Sequence, residues 1–173
     1  EVFSTFIAEY ITLHILVFSP AFSLICPSSM LQKLHIQNYA IIDDLQISFV
    51  NGLNIITGET GAGKSILMGA LNLILGQRAD SSVLKQQEKK CVVEGWFVLP
   101  KGNEVNEFFS ANDLDREDEV LIRREIGSNG KSRSFINDTP VNLSQLKGLA
   151  ALLVDLHQQF DTLELSSENF QRD

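Results

Sequence analysis

The sequence predicts an α/β fold in which a strand, a phosphate-binding loop and a helix follow one another around residue 60. Three observations predict it. An apolar run over 53–57 leads into Gly58–Ser65, which matches the pattern G-x-x-x-x-G-K-[ST] at every fixed position. A helix-compatible run over 66–75 leads out of it. Because this strand–loop–helix order is the setting that the motif needs, the match indicates a nucleotide site.

Each residue type in the loop suits a phosphate ligand. The glycines let backbone N–H groups converge, and the start of the following helix adds unpaired amides and a positive dipole end. Lys64 is expected to reach the terminal phosphates, and the Ser65 hydroxyl to join the shell of a bound Mg²⁺. The alternative is a glycine turn that only caps a helix. The predicted nucleotide-binding residues are Gly58, Glu59, Thr60, Gly61, Ala62, Gly63, Lys64 and Ser65.

Charge and cysteine content limit the function classes. The 173 residues include 14 basic and 22 acidic side chains, a net charge of −8, which excludes a bulk nucleic-acid-binding surface. Any DNA contact must therefore come from a local patch or from elsewhere. The two cysteines, Cys26 and Cys91, form no C-x-x-C pair, so a metal or disulfide framework is not expected and a reducing cytoplasm fits best.

The first 29 residues differ in composition from the rest. They are mostly apolar and contain no Lys or Arg, whereas a signal peptide has a basic start. We interpret 1–29 as an extension outside the functional domain, which would span 30–173 and begin at Met30. The alternative is a membrane or targeting segment, although Pro20 interrupts the longest apolar window. No stable membrane association is expected.

Alternating apolar residues and turn signals predict the other elements. Before the loop we predict two strands, a connection between them and a turn, and after it a helix that is buried on nearly all sides. A third strand, a short amphipathic helix and a hairpin with a four-residue loop follow. A capped helix then leads into an apolar strand. In chain order these are 31–37, 40–44, 45–49, 51–52, 66–75, 91–99, 105–109, 119–137, 142–149 and 152–156.

Four basic residues lie close together on the predicted hairpin: Arg123, Arg124, Lys131 and Arg133. One interpretation is a patch that faces the phosphates of a nucleotide or a nucleic acid. The other is an edge hairpin whose charges protect it against aggregation. Both remain open at the level of sequence.

Asp155 lies near the end of the apolar run over 152–156 and could act as a Walker B acid, which holds Mg²⁺ through water. The next residue is Leu156, however, where an ATPase that polarises its water has a second carboxylate. A free-standing P-loop kinase or NTPase with Asp155 as its Mg²⁺ acid is therefore the alternative function. A third hypothesis is an interaction module with a vestigial loop. The GTPase strings N-K-x-D and D-x-x-G are absent.

Two strands and a hairpin-like turn before the phosphate-binding strand give a layout similar to ABC-type ATPase heads, including those of the structural-maintenance-of-chromosomes (SMC) class. Within that class the residues resemble the RecN family of bacterial DNA-repair ATPases, in one register from Met30 to the C-terminus. The resemblance implies the N-terminal lobe of a head, a mixed sheet with an antiparallel β-layer around a central P-loop helix. The matching stretches are 34–43, 57–65, 70–80, 133–137, 140–141 and 153–159.

The resemblance also implies a function. The chain would be the ATP-binding lobe of a protein that repairs DNA double-strand breaks by recombination, in the cytoplasm and at the nucleoid. Lys64 would be catalytic, and Gln159, or else Gln158, would contact Mg²⁺ and the attacking water, which leaves Asp155 as a strand-end residue. Motifs of the second lobe are not found. The implied partners are therefore DNA, a C-terminal head lobe and the second head of a homodimer, and this chain alone is expected to bind ATP without hydrolysing it.

Overall fold

A computed structural model of the chain describes residues 13–14, 30–52, 54–56, 61–79 and 81–154. The strands in these ranges are Leu13–His14 (β1), Met30–Tyr39 (β2), Ile42–Ser48 (β3), Ile55–Ile56 (β4), Cys91–Val98 (β5), Glu119–Ile126 (β6), Ser132–Ile136 (β7) and Thr139–Val141 (β8). The α-helices are Gly61–Ile74 (α1), Asn103–Ala111 (α2) and Leu143–Leu153 (α3), and a 3₁₀ turn covers Ser81–Val83.

Six of the strands form one antiparallel sheet in the order β3-β2-β5-β6-β7-β8. The strand that leads toward the phosphate loop, β4, is not part of it. β4 pairs instead with β1 in a two-stranded antiparallel sheet, with Leu13 opposite Ile56 and His14 opposite Ile55. The antiparallel β-layer predicted beside the P-loop helix is therefore present.

The core lies between one face of the six-stranded sheet and the helices. Strand β5 shows why α1 packs so closely there, because a Cβ at Gly95 would lie 2.6 Å from Cδ1 of Ile74. Full burial of one large aliphatic or aromatic side chain contributes about 1.5–3 kcal/mol, so this layer accounts for much of the stability. Its largest fully buried apolar side chains include Leu34, Ile36, Ile74, Val93, Phe97, Phe109, Ile122, Ile126, Ile136, Leu146 and Leu149.

Helix α1 is less buried than the sequence predicts. Among the side chains of α1 whose burial is described, only one stripe, Leu67, Ala70, Leu73 and Ile74, is buried, whereas Met68 is 37% exposed. The prediction that the helix is buried on nearly all sides is therefore wrong for this structure. The sheet covers a single face of α1, and the described residues place no second layer over Met68.

Two strand boundaries also differ from prediction. The connection predicted over 40–44 is only a two-residue turn, and β3 begins at Ile42 because Asn38 and Ala40 adopt positive φ angles of 52° and 51° that reverse the chain tightly. The strand predicted over 152–156 is wrong at its start, since α3 continues through Leu153. Residues 155–156 lie outside the described part.

Candidate functional site

The phosphate motif is described from Gly61 onward. Helix α1 begins at Gly61, three residues before the start predicted near Lys64. The side chains of Lys64 and Ser65 are exposed in its first turns, and a Cβ at Gly63 would meet no atom within 4 Å. The structure therefore joins the predicted lysine and hydroxyl at one helix N-terminus, where backbone amides and the helix dipole favour an anion. Gly58, Glu59 and Thr60 lie outside the described residues.

The middle of α1 is fixed against β2. Gly69 contacts the hydroxyl oxygen of Tyr39 so closely that a Cβ could not fit between them. Burial raises the pKa of Tyr39, and the nearby Cys91 raises it further, so the phenol stays neutral at physiological pH. The contact sets how far α1 lies from the sheet. The sequence pattern did not reveal it, because a lone helical glycine gives no indication of its partner.

The turn after Tyr39 is held by the segment that follows α1. The side-chain amide of Asn38 donates to the carbonyl oxygens of Gln86 at 2.9 Å and Lys89 at 2.8 Å, and its oxygen accepts from the Gln86 N–H at 2.7 Å. The Ala40 N–H donates to the carbonyl of Val83 at 2.7 Å. These bonds stabilise the left-handed conformations on both sides of Tyr39, which would otherwise cost about 1–3 kcal/mol each.

Gly76 caps helix α1, whose last residue is Ile74. Its φ angle is +93°, its N–H donates to the Leu73 carbonyl, and the Gln77 N–H reaches back to the Asn72 carbonyl at 2.9 Å. This is a Schellman arrangement, which satisfies the last carbonyls of a helix. A Cβ at Gly76 would lie 2.5 Å from Cγ of Lys147, so α3 packs directly on this end.

A buried arginine also contacts Gln77, just beyond the C-terminal end of α1. Arg124 on β6 is 2% exposed, and its guanidinium donates to the Ser134 hydroxyl at 2.5 Å, the Ser132 hydroxyl at 3.2 Å and the Gln77 carbonyl at 3.4 Å. Burial lowers the pKa of Arg124. Residues 120, 122 and 126 on the same strand are buried apolar side chains, so their alternation would have placed position 124 inside the protein.

The four basic residues of the hairpin do not form one patch. Arg124 points into the protein, whereas Arg123 lies on the other face of the sheet, 4.5 Å from the ring centroid of Phe135 and 3.8 Å from a Glu125 carboxylate oxygen. Lys131 and Arg133 are exposed beside the loop. The structure therefore does not bring the four basic residues together as one phosphate-facing surface.

The outer face of the sheet carries a separate polar cluster. The ring nitrogens of His35 lie 3.1 Å from oxygens of Asp44 and Glu94, and Lys33 lies over the Trp96 ring at 4.4 Å. Within the described ranges, no group of three or more His, Cys, Asp or Glu side chains is arranged to hold a metal ion. Three predicted positions, Asp155, Gln158 and Gln159, lie outside those ranges, and their roles stay predictions.

Comparison with known proteins identifies the family. A family model described as an AAA domain matches residues 33–171. The chain belongs to this AAA domain family. This chain is similar to proteins named DNA repair protein RecN. It is 42% identical to the RecN of Vibrio cholerae over 82% of this chain and 26% of the relative. The Bacillus subtilis RecN is 40% identical over 81% of this chain and 25% of the relative. The predicted resemblance to RecN is confirmed.

A solved structure agrees on the fold. The structure comes from work described as the structural biochemistry of ATP-driven dimerization and DNA-stimulated activation of SMC ATPases. It matches this chain with a TM-score of 0.59 at 21% identity, and the match covers 80% of this chain and 92% of that chain. The predicted ABC/SMC-type head lobe is confirmed as the fold. The chain spans about a quarter of the length of its RecN relatives. Among the described residues, the helices are too short or too polar to span a membrane.

Proposed function

We propose that this chain binds ATP with Mg²⁺ at the N-terminal end of α1, as the N-terminal lobe of an ATPase head in a RecN-like protein. The observation that carries the proposal is the start of a 14-residue helix inside the phosphate motif, with Lys64 and Ser65 exposed in its first turns. Phosphate binding needs a positive dipole end and a cation within reach, and the exposed Lys64 in the first turns of α1 supports both.

Each residue has a role in this proposal. The backbone of Gly58–Gly63 would surround the β- and γ-phosphates, and the Lys64 ammonium would contact them as a point charge. The Ser65 hydroxyl is a suitable Mg²⁺ ligand, because that ion takes few protein oxygens and keeps phosphate oxygens and waters around it. Gln159, or else Gln158, would contribute from the Q-loop. Bound Mg²⁺ would neutralise the phosphate charge that Lys64 does not.

The whole protein would act in recombinational repair of DNA double-strand breaks in the cytoplasm, at the nucleoid. Support comes from the names of the RecN relatives and from the ATP-driven dimerization described for the SMC ATPase. Its partners would be DNA, a C-terminal head lobe and the second head of a homodimer. Hydrolysis would need those partners, so this chain alone would bind ATP and turn it over negligibly.

The experiment is a calorimetric titration of the chain with ATP in the presence and absence of Mg²⁺. We expect saturable binding that Lys64→Ala weakens about tenfold or more, equivalent to about 1.4 kcal/mol. The matched control is Lys101→Ala, which removes an exposed lysine from the loop before α2. Unchanged affinity in Lys64→Ala, or no nucleotide binding at all, would contradict the proposal and favour an interaction module.

A phosphate-release assay on the same samples tests the alternative kinase or NTPase. The proposal predicts turnover at the background level. Rapid turnover by the isolated chain that Asp155→Asn abolishes and Gln159→Ala leaves unchanged would instead show a free-standing enzyme.

A further inference from the structure

A cavity of about 460 Å³ lies between the hairpin and the start of α3. Strands β7 and β8 form one side, and Arg124 of β6 and the first residues of α3 complete it. In a chain with a net charge of −8, this lining contains two arginines and no carboxylate. The lining residues are Arg124, Ser132, Arg133, Ser134, Phe135, Pro140, Val141, Asn142 and Leu143.

Within the described part of the chain, Arg124 is a cation without a counter-ion. None of the ion pairs among the described residues includes it, and its three acceptors are the neutral oxygens of Ser132, Ser134 and Gln77. Its Nε is buried and has no hydrogen-bond partner among the residues that the structure describes. A buried charge is normally paired, because the loss of hydration is large. An anion in the cavity that Arg124 lines would supply the missing charge.

The N-terminus of α3 adds a second positive end to the same cavity. Asn142 and Leu143 line it, and the 11-residue helix that follows has no acidic side chain in its first turn. The capping box occupies the Gln145 N–H with the Asn142 side chain, but it brings no negative charge. Among the described residues, no acidic side chain in the first turn complements the dipole of α3, which leaves this helix end suited to an anion.

We propose that this cavity is a second phosphate-binding site that takes a phosphomonoester or phosphodiester. Its volume falls in the range of ligand pockets, about 300–1,000 Å³, and exceeds what one orthophosphate needs. The cationic side chains and the α3 N-terminus bind the phosphate, and apolar lining such as Pro140 and Val141 contacts the group attached to it. Arg124 reaches Gln77, beyond the C-terminal end of α1, so the site lies at the opposite end of that helix from Gly61–Ser65. It does not depend on the proposed ATP function.

The test uses the 173-residue chain carrying Lys64→Ala, which weakens the first phosphate site. Sodium phosphate is added against sodium chloride at equal ionic strength, and the thermal midpoint is followed. We expect a rise of about 3 °C once phosphate exceeds its Kd tenfold. Arg133→Gln, at an exposed rim position, is expected to weaken this binding several-fold. The matched control Lys101→Gln, at an exposed lysine outside the lining, is expected to leave it unchanged.

A second variant separates binding from folding. Ser144 is exposed in the first turn of α3, so Ser144→Glu puts a carboxylate at the helix N-terminus. We expect the unliganded thermal midpoint to stay or rise, because the charge complements the dipole, while the phosphate-dependent rise is lost. A phosphate response that is absent in the Lys64→Ala background, or that persists in both Arg133→Gln and Ser144→Glu, would overturn the proposal.

The source of the phosphate is distinguished by a short DNA duplex in place of sodium phosphate. Duplex binding that falls with salt and weakens in Arg133→Gln and Ser144→Glu identifies a nucleic-acid backbone as the ligand. Binding of sodium phosphate with no variant-sensitive duplex binding identifies a free or small-molecule phosphate. Both results support a phosphate site.

Discussion

The hydroxyl oxygen of Tyr39 touches Gly69 in the middle of the P-loop helix, so closely that only glycine fits at that position. Tyr39 itself is held by a tight turn in which Asn38 and Ala40 both have positive φ angles. A contact between a helix backbone and a tyrosine in a constrained turn leaves little room for either element to shift. It makes the position of α1 sensitive to a single methyl group.

We expect Gly69→Ala to destabilise the protein by about 1–3 kcal/mol, because the added methyl overpacks the contact with Tyr39. Helix propensity alone predicts the opposite sign, a gain of about 1 kcal/mol. Urea unfolding measures the free energy. Tyr39→Phe in the Gly69→Ala background removes the clashing oxygen and should recover much of the loss. A stabilised single variant would show that the contact is unimportant.

Ser134→Ala should cost about 1–3 kcal/mol, since it removes the 2.5 Å hydrogen bond of a buried guanidinium and leaves the donor without an acceptor. Ser132→Ala is the matched control. Ser132 is exposed and its bond to Arg124 is longer, 3.2 Å, so its loss should cost less. Chemical denaturation of both variants gives the comparison, and equal costs would refute the importance of burial.

Asn142→Ala should lower stability by about 0.5–2 kcal/mol, because it removes the Asn142 side of the capping box that begins α3. Gln145→Ala removes the reciprocal bond to the Asn142 N–H and should cost less than the cap itself. Helical circular dichroism and thermal unfolding report both. A neutral Asn142→Ala would mean that tertiary packing, and not the cap, determines where the helix begins.

Burial raises the pKa of the Cys91 thiol to about 12, from an ordinary value of 9.0. In a Cys26→Ser background, Cys91 should therefore resist thiol reagents at pH 8 until urea unfolds the chain. The same shift contributes to stability in full below pH 9. As pH rises from 9 toward 12, the unfolded thiol loses its proton while the folded one keeps it, so the unfolding free energy should fall. Cys91→Ala should show a flatter decline over that interval.

The elements that sequence reasoning placed well are those with local signals. The capping pair Asn142 and Gln145 and the β6–β7 hairpin depend on residues close together in the chain, although the hairpin loop has five residues, 127–131, and not the predicted four. The short strand β8 was missed, because three residues that include Pro140 carry little alternation. The end of α3 was wrong because apolar Leu152 and Leu153 suit a strand and a buried helix equally.

The same distinction between local and long-range signals applies to the candidate site. The phosphate motif was found because its chemistry is carried by adjacent residues. Its support was not found, because Tyr39 meets Gly69 thirty positions later and Arg124 meets Gln77 across 47 positions. Such contacts depend on how the sheet and α1 pack, which local propensity does not encode. The sequence nonetheless contains a signal for the burial of Arg124. Positions 120, 122 and 126 on β6 are apolar, and their alternation places position 124 on the same buried face.

The contact between Tyr39 and Gly69 lies near the middle of α1, with the nucleotide end on one side and the end near Gln77 on the other. Gly69 lies eight residues after Gly61, about 12 Å along the helix axis, and eight residues before Gln77. Tyr39 therefore contacts α1 midway in sequence between Gly61 and Gln77. Any tilt of the nucleotide end about it would move Gln77 a comparable distance in the opposite direction, toward or away from the guanidinium that it contacts. A change at the nucleotide end of α1 would in this way be transmitted through Gln77 to Arg124 on the hairpin.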